Sequence, residues 1–194
     1  MDNLKESTVE NINLLKKISN VIINNVSISS NKEYTILKGQ DIKKDLEGII
    51  KNKDILNILT STNYYFINYP TKSKYNGFYD PKNKRLLINV FNIKQNNENV
   101  KKVLIHELRH LFQYLEYPEF MTQDYEKTDY KKRSIEIDAS FYELLEYYDA
   151  TNYDTPNEYA TKILEHLITI KELSDKQIRH YYKKTLDYFY QNNE

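Results

Sequence analysis

The residues best equipped for chemistry lie in one stretch, Val103-Leu-Ile-His106-Glu107-Leu-Arg-His110-Leu-Phe-Gln-Tyr-Leu115. It contains His-Glu-x-x-His inside a helical run. On a helix, residues four apart share a face, so His106 and His110 can aim two imidazoles at one metal ion. Glu107 is rotated from His106 by about 100°. It therefore flanks such a metal instead of binding it, and from there it can take a proton from water at the metal. Two of the 4 histidines in the chain fall in this pentapeptide, which makes a coincidence of spacing a poor explanation.

Two histidines do not complete a site. Catalytic zinc generally takes three protein ligands and keeps one position for water. A third histidine at the short metzincin spacing would stand at 116 with glycine at 113, but these positions hold Glu116 and Gln113. His166 and His180 lie far downstream, in segments that read as helices with these residues at a surface or boundary. The best third ligand is Glu136, in Arg133-Ser-Ile-Glu136-Ile-Asp-Ala139-Ser140-Phe-Tyr-Glu143. It opens a helix able to pack on the first. Ala139, one turn on, is small enough to let the two helices approach closely. Asp138 and Glu143 are the alternatives to Glu136.

His106-Glu-Leu-Arg-His110 followed by Glu136-Ile-Asp-Ala139 resembles the gluzincin pattern, HExxH with a distal Glu-x-x-Ala. The short spacing is similar to minimal gluzincins and to ImmA/IrrE-type metallopeptidases, over about residues 76 to 148. The resemblance implies zinc held by His106, His110 and Glu136, with Glu107 as general base. It also implies an edge strand before the helix that aligns a protein or peptide substrate. One position departs from the pattern. Many gluzincins carry an aspartate four residues after the ligand glutamate, supporting a ligating histidine, and here that position is Ser140. A hydroxyl brings no charge to raise ligand basicity, so either another acid, Asp138 or Asp129, substitutes or the site binds metal less tightly. The reading that follows is a zinc-dependent metalloendopeptidase. The alternative is a zinc-binding regulatory or interaction protein of zincin fold with little or no proteolysis of its own. Arg109, on the ligand face opposite Glu107, reads as a solvated helix charge.

The elements that must position these residues follow from periodicity. Ser7-Thr-Val-Glu10 is a capping box before Val9, Ile12, Leu15, Ile18 and Ile22, which mark a helix of roughly four turns. Tyr34-Thr-Ile-Leu37 suits a strand, broken by Gly39. Asp41 can cap a helix carrying Ile42, Leu46, Ile49 and Ile50, and Asp54 to Leu59 adds a turn or two more. Tyr64-Tyr-Phe-Ile67, Gly77-Phe-Tyr-Asp80 and Arg85 to Phe91 are rich in strand formers and predict a small antiparallel meander. Within it, Arg85–Phe91 is the expected edge strand for substrate pairing. Asn96-Asn97 can cap the His-Glu helix, whose apolar stripe is Leu104, Leu108, Leu111 and Leu115. Residues 119–130 read as a loop, and a helix is expected from about Lys132 to Tyr148. Thr155-Pro-Asn-Glu158 and Ser174-Asp-Lys-Gln177 open two further helices.

The expected fold is thus α+β, a single helix-rich zincin-like domain over 1–194. Residues 1–60 form N-terminal helices, 61–150 the catalytic core and 151–194 a helical C-terminal extension. Composition bounds the function. With 28 basic and 28 acidic residues the formal charge is zero, so nucleic acid is not an expected partner. No apolar run approaches the roughly 18 residues of a membrane span, and Met1-Asp-Asn-Leu-Lys-Glu lacks the layout of a signal peptide. The chain has no cysteine, so thiolate ligands and disulfides are excluded. A cytoplasmic protein is the expectation.

Overall fold

The computed structural model describes residues 2–28, 31–71, 75–93, 97–116, 139, 140, 142, 143 and 146, and of residues 2–11, 97 and 98 the backbone alone. The first helix, α1, spans Asp2–Asn24. It starts before the expected capping box, because no proline or glycine between residues 2 and 24 interrupts it. Its face of Ile12, Leu15, Ile18 and Ile22 is buried, as the periodicity requires.

Strand β1 (Tyr34–Lys38) runs into a 3₁₀ turn, Gly39–Ile42, and the short helix α2 (Lys43–Glu47). Gly39 is where the chain turns against the end of α3 (Lys53–Ser61): a Cβ there would meet the Leu59 carbonyl oxygen. Asn52 caps α3, its side-chain oxygen accepting from the Asp54 and Ile55 amides at 2.9 and 3.2 Å. Strands β2 (Asn63–Ile67), β3 (Gly77–Asp80) and β4 (Arg85–Asn89) follow, and then helix α4 (Asn97–Glu116).

The four strands form one sheet in the order β1-β2-β4-β3. It is mixed, not the antiparallel meander expected: β2 pairs with β4 in parallel, and the other two pairings are antiparallel. The cause is the β3–β4 hairpin. The chain leaves β2, passes to the far edge as β3, and returns as β4 in the gap between them. The hairpin turn is built from polar side chains. Asp80 accepts from the Asn83 amide at 3.1 Å and from Arg85 at 2.7 Å, and Lys84 takes a left-handed φ of 50°. In consequence Arg85–Asn89 is an inner strand and the edge on that side of the sheet is β3, which corrects the expected substrate strand. The strand also ends at Asn89 instead of Phe91, since residues 90–93 turn towards α4.

Pleating puts Tyr64, Phe66, Leu86 and Ile88 on one sheet face, all buried. They form one core with the inward stripes of α1 and α4, in which Leu104, Leu108 and Leu111 are fully covered. Each such side chain contributes about 1.5–3 kcal/mol by leaving water. The described helices and this sheet make an α+β fold with the His-Glu helix packed against α1, β3 and β4. Of the helix expected over Lys132–Tyr148, residues Ala139, Ser140, Tyr142, Glu143 and Glu146 are helical and buried. Glu136, Asp138, Asp129, His166, His180 and the helices expected beyond residue 150 lie outside the described residues. Among the described residues, no helix is long and apolar enough to cross a membrane.

Candidate metal centre

The core packing of α4 decides where its polar residues go. Its apolar stripe presses on α1 and the sheet, and the same rotation carries His106, Glu107, His110 and Gln113 to one polar strip along the helix. Glu107, His110 and Gln113 are buried, between 3% and 7% exposed. Buried polar groups are costly unless they are paired, so this strip needs partners, and two are on hand. Gln113 Oε1 lies 2.8 Å from His110 Nδ1. Glu143, from the other helix, places Oε2 3.2 Å from His106 Nδ1. That oxygen lies off the line of the ring N–H.

Both neighbours offer acceptor oxygens at Nδ1, so each ring is drawn to carry its hydrogen there and to leave Nε2 as a lone pair. The two Nε2 atoms face each other at 3.2 Å. The rings meet edge to face, with centroids 4.9 Å apart. At this distance one ring N–H can donate to the other nitrogen, or, with both hydrogens on Nδ1, a cation can take the two lone pairs. Two nitrogens bound to one tetrahedral zinc at about 2.0–2.1 Å stand roughly 3.3 Å apart. The separation of the two nitrogens therefore matches that of a pair bound to such an ion. Among the described residues no group of three metal-ligating side chains converges. The third ligand implied by the resemblance, Glu136, is not among them.

Glu107 is set by β3. Gly77 crosses directly above it: a Cβ at 77 would come 2.5 Å from Glu107 Oε1 and 2.8 Å from Val103 Cγ1. Only glycine lets the strand lie this close. Further along, Tyr79 meets Tyr114 of α4 edge to face at 6.4 Å, so strand and helix advance together. Burial drives the Tyr79 hydroxyl above the ordinary tyrosine range, with Tyr114 and Asp80 adding to the shift. It stays neutral at physiological pH. The Asn89 amide donates to the Asn76 carbonyl at 2.7 Å. Antiparallel pairs alternate, so Asn76, Phe78 and Asp80 turn their backbone groups to β4, while Gly77 and Tyr79 turn theirs to the outer edge. Among the described residues no strand lies beyond β3.

Two expectations change. Glu143, an alternative to Glu136 as ligand, stands at the His106 nitrogen remote from His110, so it faces away from the point where the Nε2 atoms converge. Ser140 is buried one turn before it. Arg109 is not a solvated charge: its guanidinium is buried, 3.2 and 3.3 Å from the two Glu116 carboxylate oxygens and 4.9 Å over the Tyr142 ring. It ties α4 to the helix that carries Glu143. Gln113 and Gly77 are the residues to which the sequence assigned no site role. Gln113 alone had a local signal, standing three residues after His110 on one helical face.

No protein-family model matches the chain, and no curated protein or solved structure matches it either.

Proposed function

We propose that the protein is a zinc-dependent metalloendopeptidase of the gluzincin type. The observation that carries this reading is the convergence of His106 and His110 Nε2 at 3.2 Å, with acceptors behind both rings. His106, His110 and Glu136 would hold the ion. Bound zinc would bring the pKa of a water towards about 7 and polarise the scissile carbonyl. Glu107 then acts as general base, accepting a proton from the attacking water and delivering it to the leaving amine. Its burial beside Gly77 supports that role, since the base must stand against the strand along which substrate lies. An extended peptide would pair with the outer edge of β3 through the backbone groups of Gly77 and Tyr79. A cysteine-free chain suits a reducing compartment, and the cytoplasm is where we expect the reaction.

Glu107→Gln tests the reading. The variant keeps zinc and loses hydrolysis of a denatured-protein or peptide-library substrate by about 10²–10⁴-fold. Undiminished cleavage would overturn the mechanism. Zinc binding with no cleavage even by the wild type would favour the regulatory alternative.

A further inference from the structure

We propose that Glu143 is the positioning residue for His106 and sets the affinity of the site for zinc, in place of the carboxylate missing at Ser140. The proposal rests on the zinc reading above. The gap at 140 is real in sequence: a serine hydroxyl carries no charge. The structure fills it from the next turn. Ser140 and Glu143 are three residues apart on one buried helical face, an axial step of about 4.5 Å. Helical side chains lean towards the N-terminus, so a glutamate at 143 reaches back over position 140. Its extra methylene, compared with aspartate, lengthens that reach. The result is Oε2 3.2 Å from His106 Nδ1.

The helix that brings Glu143 there is clamped one turn on. Glu146 takes Lys101 of α4 at 2.7 Å and Lys16 of α1 at 3.3 Å, with its side chain only 6% exposed. Lys101 and His106 share α4, so this clamp fixes the distance between the two helices close to the contact that matters. Two lysines on Glu146 also offset the repulsion between it and Glu143, which stand one turn apart. Behind a ligating imidazole, a carboxylate holds the hydrogen on Nδ1, orients the ring and makes Nε2 a better donor.

The test is a competition titration of zinc against a chelator of known affinity. It uses the full chain as wild type, Glu143→Ala and Glu143→Gln, together with imidazole ¹⁵N spectra of the metal-free proteins. Glu143→Ala is expected to bind zinc about 10–100-fold more weakly. Glu143→Gln, which keeps the size and one acceptor oxygen without the charge, falls between. The spectra should show His106 leaving the Nδ1–H tautomer in Glu143→Ala, while His110, backed by Gln113, is unchanged. If Glu143→Ala does not fold, Glu143→Gln decides. Wild-type zinc binding with either folded variant within about two-fold of it would overturn this proposal and leave the zinc reading standing. A wild-type chain that binds no zinc would overturn both.

Discussion

The two histidines are backed in different ways. His110 leans on Gln113, a neutral amide from its own helix at 2.8 Å. His106 leans on Glu143, a carboxylate from another helix at 3.2 Å. The first support forms as soon as α4 forms. The second exists only when two helices have docked, and that docking depends on Glu146 with Lys16 and Lys101, and on Arg109 over Tyr142. One half of the site is therefore a property of a helix and the other half a property of the fold. A charged acceptor does more for ligand basicity than a neutral one, so the half that needs the fold also has the stronger support.

Substitutions at each support separate the two halves. The largest effect is expected from the rings themselves: either His106→Ala or His110→Ala removes a ligand and with it all stoichiometric zinc, read by metal analysis after dialysis. Below this come the supports. Gln113→Ala should weaken zinc by about ten-fold, less than Glu143→Ala, and a reversed order in competition titrations would end the contrast between charged and neutral support. Gly77→Ala probes the third arm. Its Cβ forces Glu107 aside, so the rate of peptide hydrolysis should fall at saturating substrate while zinc affinity holds. The overpacking should cost about 1–3 kcal/mol in a denaturation curve.

The smallest effect concerns the hairpin that puts β3 at the edge. Partial burial raises the Asp80 carboxyl, but hydrogen bonds from Arg85 and Asn83 outweigh it and hold the group below its ordinary value of 3.8. A carboxylate depressed in the folded state stabilises above its unfolded pKa, and the stabilisation is lost as pH falls through the folded one. Asp80→Asn should therefore lower the thermal midpoint slightly at neutral pH, by a stability of under about 1 kcal/mol. Wild type and variant should converge below the ordinary carboxylate range. A difference that persisted there would mean that charge is not what Asp80 supplies.

Much of this architecture was legible in sequence wherever the information was local. The faces of α1 and α4, the Gly39 break and the strands near Tyr34, Tyr64, Gly77 and Arg85 follow from periodicity and turn chemistry. So does the aim of His106 and His110 at one point, because four residues is close to one helical turn. What escaped depends on contacts between distant segments. Gly77–Asp80 and Arg85–Asn89 have similar strand patterns, and nothing in either says which becomes the edge. Gly77 was the clue, though its meaning appears only when Glu107 lies beneath it. Arg109 read as a surface charge because its partner ring, Tyr142, is on another helix. Glu143 reads in sequence as an alternative metal ligand, and only the docked helices place it at the Nδ1 side of His106.

We propose that the facing Nε2 atoms of His106 and His110 hold one metal ion. Titration of zinc into the metal-free wild-type chain, with His106→Ala as the paired control, tests it most directly. One zinc per wild-type chain and no stoichiometric binding by the variant are expected. Absence of zinc binding by the wild type, or equal binding by the variant, would contradict it.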